Sequence, residues 1–124
     1  MKTISSSLGE YKIYPNFIIT KFNEAIDLDL NNAEEIITLM LENMEGDFGW
    51  IADNMNSYSI NPFLYSKISE HVKNIKCYCN VIYYQDIRDT TEIGRCHFPC
   101  NIELNKYNSI QEAIIWTNSI VGSK

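Results

Sequence analysis

The chain has 124 residues and a formal net charge of −6, with 45% hydrophobic and 21% charged residues. This length suffices for a hydrophobic core, and we predict a single domain over residues 1–124. The ten basic residues are scattered along the sequence, which argues against a surface for nucleic acid or acidic membranes. No apolar run is long enough to insert into a membrane, and the N-terminal segment lacks the apolar core of a secretory signal, so we expect a cytoplasmic protein.

The first two predicted elements are strands. Residues 9–14 and residues 17–23 are rich in β-branched and aromatic side chains, and Pro15-Asn16 between them suits a turn. Together they predict an antiparallel hairpin.

A helix is predicted next, within NNAEEIITLMLENMEG at residues 31–46. Its apolar side chains recur at the spacing of one helical face. Asn32 is the candidate N-cap and Gly46 suits the C-terminal stop. The residues predicted to face the core are Ala33, Ile36, Ile37, Met40, Leu41 and Met44.

Strands and helices then alternate along the rest of the chain. FGWIAD, residues 48–53, has the short apolar run of a buried strand. The next element is a helix from Pro62 with Asn61 as its cap, and its predicted inward stripe is Phe63, Leu64, Ile68, Val72 and Ile75. A strand at 77–84, a helix at 86–96 and a strand at 101–107 follow. The last element is a helix at 109–121, which opens with Ser109 and Glu112 at capping-box spacing.

The order β-β-α-β-α-β-α-β-α decides the fold class. Consecutive strand–helix–strand units require parallel strands joined by right-handed crossovers, and the hairpin adds one antiparallel strand. We therefore predict an α/β fold with a small mixed, mostly parallel sheet.

The four cysteines allow two interpretations. They form a C-x-C pair, Cys77 and Cys79, and a C-H-x-x-C cluster, Cys96 to Cys100. Thiolates and imidazole are zinc ligands, but a single residue between paired cysteines is a short spacing for a zinc site. Alternate residues of a strand point to one sheet face, so we predict buried, reduced thiols and no metal, with zinc as the alternative.

Catalytic motifs are absent from the sequence. It contains no metalloprotease, phosphate-loop, nucleophile-elbow or glycine-rich dinucleotide fingerprint. We therefore predict that the protein is not an enzyme and uses no cofactor.

The polar loop after the third predicted strand, residues 53–62, is the candidate functional segment. Its serines, Ser57 and Ser59, precede a helix start. Three interpretations stay open: local turn formation, phosphorylation or anion binding at the helix N-terminus, and contact with a partner through Tyr58 and its neighbours.

The order of elements, together with FGWIADNMNSYSINP at residues 48–62 and the closing EAIIW, resembles the STAS superfamily. Within it the chain is most similar to the SpoIIAA-like branch of small stand-alone bacterial domains. In anti-sigma-factor antagonists of this superfamily, a partner kinase phosphorylates a serine in an Asp-Ser-Ser-Gly stretch after the third strand. Residues 53–59 occupy the matching loop here, without a glycine after either serine.

The resemblance implies a non-enzymatic regulatory module that binds a protein partner through the loop 53–62 and the helix after it. The candidate residues for partner binding or phosphorylation are Asp53, Asn56, Ser57, Tyr58, Ser59 and Asn61.

A small-ligand binder is the alternative function. The chain has eight tyrosines and five phenylalanines, and SpoIIAA-like proteins are topologically related to CRAL-TRIO-type lipid-transfer domains. An aromatic-lined pocket would then hold a small apolar ligand or a lipid. The tyrosines on predicted strands, each expected to pack one ring face and reach water with its hydroxyl, are Tyr11, Tyr14, Tyr78, Tyr83 and Tyr84.

Overall fold

The structure is a computed structural model that describes residues 1–83 and 97–122. The strands are β1 (Lys2–Ser5), β2 (Gly9–Ile13), β3 (Phe17–Phe22), β4 (Asp27–Leu28), β5 (Phe48–Asp53), β6 (Ser59–Ile60), β7 (Ile75–Val81) and β8 (Glu103–Tyr107). The helices are α1 (Ala33–Asn43), α2 (Phe63–His71) and α3 (Ile110–Val121), and a 3-10 turn at Leu30–Asn32 precedes α1.

Six of these strands form one sheet, in the spatial order β1-β2-β3-β5-β7-β8. β1, β2 and β3 pair antiparallel, whereas β3, β5, β7 and β8 run parallel. The α/β class and the mostly parallel mixed sheet are thus confirmed. β4 and β6 form a separate parallel pair, which the sequence did not predict.

β1 was also missed by sequence reasoning. Most of its side chains are exposed, so it lacks the alternating apolar pattern that identifies a half-buried strand. Its place is fixed by backbone pairing with β2, from Lys2 opposite Ile13 to Ser5 opposite Glu10. The predicted opening hairpin is therefore a three-stranded antiparallel unit.

Helices cover both faces of the sheet. The side chains of α1 and α2 pack with Trp50 and Tyr78 on one face, and Ala113 of α3 packs with Ile51 and Cys79 on the other. Neighbouring residues of β5 and β7 thus enter opposite cores, which is why both strands read as continuous apolar runs.

The buried face of α1 differs from the prediction at one flank. Leu41 is 56% exposed, whereas Leu39 is buried. At about 100° per residue, Leu41 lies closer than Leu39 to the centre of the predicted face, so the periodicity favoured Leu41. The face that α1 buries is turned toward Ile36, which brings Leu39 into the core and leaves Leu41 in solvent. Asn32 also differs: its side chain does not cap α1 but accepts a 2.8 Å hydrogen bond from the backbone N–H of Asp29.

The N-terminus of α3 follows the prediction. Ser109 Oγ accepts a 3.3 Å hydrogen bond from the backbone N–H of Glu112. The predicted helix at 86–96, together with Cys96 and Tyr84, lies outside the described residues.

Candidate functional site

The loop 53–62 begins at the carboxyl end of β5 and ends at the start of α2. β3 is parallel to β5, so its carboxyl end and the turn that follows it lie at the same edge of the sheet. We call this edge, with the loop and that turn, the carboxyl edge. In open parallel sheets such an edge is where ligands and partners usually bind.

Backbone and side-chain hydrogen bonds fasten the loop to the turn after β3. They run from Ala25 N to Ser57 O (2.6 Å), from Ser59 N to Ile26 O (3.0 Å), from Asn61 N to Leu28 O (2.8 Å) and from Asn56 Nδ2 to Phe22 O (3.0 Å). The short β4–β6 pair is part of this attachment. The loop therefore presents a defined surface.

The two serines have different surroundings. Ser57 is exposed, and its backbone N–H donates a 2.7 Å hydrogen bond to Oε2 of Glu24. The Ser59 hydroxyl donates to the Asp27 carboxylate. Carboxylates beside both serines oppose the binding of a free anion at this loop, because like charges at such distances repel.

Tyr58 is the anchor of the loop. Its ring packs edge-on against Phe22 with centroids 5.3 Å apart, and its hydroxyl donates a 2.6 Å hydrogen bond to Oδ1 of Asn54. Burial, followed by Tyr65 and Asp53, raises the pKa of Tyr58 well above its usual value. Tyr58 thus stabilises the loop and is only half-exposed.

A buried polar network continues from Tyr58 into the core. Asn54 donates to Oδ1 of Asn80 (3.1 Å), which also accepts from the Tyr78 hydroxyl (3.0 Å), and that hydroxyl lies 3.3 Å from the hydroxyl of Tyr65. Sequence reasoning missed Asn54 and Asn80. The available signal was Asn80, which lies inside an apolar strand of the sequence. A buried amide there requires hydrogen-bond partners, so a polar network could have been predicted.

The tyrosine predictions were wrong at two positions. Tyr11 and Tyr78 are fully buried, so their hydroxyls do not reach water. The reason is that helices cover the face of the sheet into which both rings point. Tyr14 and Tyr83 are half-buried, as predicted.

The remaining candidate residues act locally. Asn61 Oδ1 accepts a 3.0 Å hydrogen bond from the N–H of Phe63, the first residue of α2, although Pro62 and not Asn61 holds the N-cap position. Asp53 Oδ1 accepts from the N–H of Met55 at 3.2 Å. All six candidates thus lie at the carboxyl edge. Four of them support the loop or the helix start through side-chain hydrogen bonds: Asp53, Asn56, Tyr58 and Asn61.

Exposed apolar side chains lie within the loop and next to it. Met55 is 41% exposed, and Phe63, just beyond the loop, is 61% exposed with its ring 4.9 Å from that of His97. Leu30, in the 3-10 turn that contacts α2, is 39% exposed. Sequence reasoning missed all three as surface residues and placed Phe63 on the buried face of its helix.

The cysteine pair behaves as predicted. Cys77 and Cys79 are buried free thiols, and burial raises the pKa of each to about 12. Cys100 is exposed. Within residues 1–83 and 97–122, no three side chains are grouped in a way that could hold a metal ion.

The buried aromatic rings contact one another. The ring of Trp50 lies between 4.8 and 6.1 Å from those of Tyr65, Tyr78 and Phe98. An open cleft of about 360 Å³ lies beside this cluster, and the aromatic residue among the described ones that line it is Phe98. Another, of about 290 Å³ at the carboxyl edge, is lined by polar groups that include Lys21 and Asn56.

Comparison with protein-family models, curated proteins and solved structures found no match for the chain. The resemblance to the STAS superfamily therefore stays a prediction. Among the described residues, no helix has the length and apolar character needed to cross a membrane.

Proposed function

We propose that the protein is a non-enzymatic, STAS-like regulatory module that binds a protein partner through the loop 53–62 and the start of α2. The observation that carries this proposal is the exposure of Met55 within the loop, and of Phe63 directly after it, where hydrogen bonds hold the loop in place. A fixed surface reduces the entropy lost on binding, and exposed apolar side chains supply the contact area.

The structure separates the serines as candidates for modification. Ser57 is exposed, whereas the hydroxyl of Ser59 is bonded to Asp27. A kinase needs a free hydroxyl, so we propose Ser57 as the phosphorylation candidate. A phosphate there would carry nearly two negative charges next to Glu24, and the repulsion would weaken the attachment of the loop to the turn.

The alternative, a small apolar ligand in an aromatic-lined pocket, receives less support. The rings of Trp50, Tyr65, Tyr78 and Phe98 fill the space between them. The 360 Å³ cleft beside them is open, and among the described residues that line it one is aromatic, whereas small-molecule sites are usually enclosed and mostly apolar.

Site-specific photo-crosslinking in the native cell tests partner binding. A benzophenone amino acid replaces Met55 in one variant and Phe63 in another. Ile115, which is 71% exposed on α3 across the sheet, provides the matched control. We expect one discrete adduct from positions 55 and 63 and none from position 115. No adduct, or the same adducts from all three positions, would contradict the proposed function.

Intact-mass measurement of the protein purified from its native cell under different growth conditions tests the modification. We expect a species heavier by one phosphate that disappears in Ser57→Ala and persists in Ser59→Ala. An unmodified mass under every condition would remove the regulatory part of the proposal and leave partner binding unaffected.

A further inference from the structure

The charge of the chain is distributed unevenly along its sequence. Between Lys21 and Lys67 there is no lysine, arginine or histidine, whereas nine of the sixteen acidic residues lie there. This stretch contains the turn after β3, α1, β5 and the loop 53–62. The carboxyl edge is thus built largely from a segment without lysine, arginine or histidine, and Lys21, near the end of β3, borders it.

Acidic and apolar side chains alternate at this edge. Glu24, Asp27 and Asp29 are exposed and lie within the six residues before Leu30. The β4–β6 pair places Asp27 beside Ser59 and Leu28 beside Ile60, so the turn lies along the part of the loop that leads to Phe63. The 3-10 turn that contains Leu30 packs against α2, whose first residue is Phe63.

We infer that the partner of the carboxyl edge presents a basic, amphipathic segment, with lysine or arginine side chains surrounding apolar ones. This inference rests on the proposed function and specifies the chemistry of the partner. Leu30, Met55 and Phe63 would contact the apolar side chains of the segment, and Glu24, Asp27 and Asp29 would face its cations. We call these six residues the acidic rim.

Charge complementarity favours this occupant over a second copy of the chain. Two copies, each with a net charge of −6, would bring their acidic rims together, and the like charges would repel. A basic segment gains attraction at the same surface, and that attraction weakens as salt is added, because exposed charges are screened.

The first experiment uses a defined probe and NMR. A synthetic peptide of about 15 residues, long enough to form a helix and composed of leucine and lysine in an amphipathic pattern, is titrated into the ¹⁵N-labelled full chain. Its twin carries glutamate in place of lysine. We expect the lysine peptide to shift the backbone signals of the acidic rim and not those around Ile115 and Glu112 on α3, and the glutamate peptide to shift neither.

Variants that remove three charges test the role of the acidic side chains, with a matched control. Glu24→Gln, Asp27→Asn and Asp29→Asn combined remove three charges and keep oxygen acceptors for the hydrogen bonds to Ser57, Ser59 and Asn31. The control combines Glu42→Gln, Glu103→Gln and Glu112→Gln, which removes as many charges at exposed positions outside the acidic rim. We expect the first triple variant to weaken binding of the lysine peptide roughly tenfold, from modest contributions of three exposed charges, and the control to change it much less.

Several outcomes would overturn the inference. Equal weakening in both triple variants would show a response to net charge alone. If the lysine peptide shifted backbone signals over the whole surface, that would also show a response to net charge alone. Concentration-dependent shifts of the acidic rim in the protein alone would point to self-association. The triple variant of the acidic rim, combined with the benzophenone amino acid at position 55, separates the two proposals. An adduct that persists unchanged without the three charges would support the proposed function and rule out the basic partner. No adduct in the unaltered chain removes the proposed function itself.

Discussion

The hydroxyl of Tyr58 donates a 2.6 Å hydrogen bond to Oδ1 of Asn54, whose side chain is buried just beyond the end of β5. Tyr58 is therefore attached to the end of β5 through Asn54, whose side chain also donates a hydrogen bond to Asn80 in the core. Because the loop and the buried amides of Asn54 and Asn80 share these hydrogen bonds, a change in one should affect the stability of the other.

Tyr58→Phe tests this coupling. The change keeps the ring against Phe22 and removes the donor to Asn54, so we expect the free energy of unfolding to fall by about 1–3 kcal/mol. Urea denaturation measures it. Tyr14→Phe is the control, because Tyr14 is half-buried and stacks on Phe17 through its ring. Equal stabilities of the two variants would contradict the anchoring role.

The network around Asn80 gives a second prediction. Asn80→Ala leaves the Asn54 amide and the Tyr78 hydroxyl without their acceptor, so we expect a loss of at least about 2 kcal/mol. Tyr78→Phe removes one of the two donors and should cost less. In a double-mutant cycle, the double variant should lose less stability than the sum of the two single losses. The reason is that both changes remove the same hydrogen bond, between Tyr78 and Asn80. Strict additivity would show that the hydrogen bond contributes nothing.

Gly49→Ala tests the packing of α3 on the sheet. An added Cβ would press into Cγ2 of Thr117 and lie 2.8 Å from Sγ of Cys77. We expect a loss of about 1–3 kcal/mol, as for other overpacked cores. Thr117→Ser removes that methyl group, so the double variant should be more stable than Gly49→Ala alone. No rescue would show that α3 does not pack as described.

Because Cys77 and Cys79 are buried, we expect the free energy of unfolding to fall at alkaline pH. Burial raises the pKa of Cys77 and Cys79 from 9.0 to about 12, so above about pH 9 the folded state holds protons that the unfolded chain has released. The stability these thiols contribute is present below that pH and is lost as pH rises toward 12, by up to about 1.4 kcal/mol per pH unit for each thiol.

The check is urea denaturation as a function of pH. The combined variant Cys77→Ala, Cys79→Ala should be less stable near neutral pH, because two buried side chains are shortened, but its stability should fall less steeply above pH 9. Cys100→Ala is the control, since that thiol is exposed, and it should keep the slope of the unaltered protein. Identical slopes in all three proteins would contradict the prediction.

Ser59→Asp tests the attachment of the loop to the turn. A carboxylate at this position would face Asp27, so we expect the loop to loosen. Amide hydrogen exchange at Ser59 and Asn61, whose N–H groups bond to Ile26 and Leu28, should become faster by tenfold or more. Ser59→Ala removes only the hydroxyl and should have a smaller effect. Equal exchange in both variants would show that charge repulsion has no part in it.

Local patterns in the sequence determined most of the regular elements. The bounds of β5 were predicted to the residue, because a short apolar run bounded by polar residues identifies a strand buried on both faces. The α/β class followed, since alternating strands and helices require parallel pairing. The sequence also placed the loop 53–62 at the end of a parallel strand, where surface exposure follows from topology.

The tertiary structure alone decided which of the apolar helix residues are exposed. The helical pattern places Leu41 on the buried face, and Phe63 begins an apolar stripe, yet the packing of α1 and α2 buries Leu39 and leaves Leu41 and Phe63 in solvent. The β4–β6 pair and the Asn54–Asn80 contact join residues more than twenty positions apart. A local pattern carries no information about such pairings, because their free energy arises only when the sheet brings the two segments together.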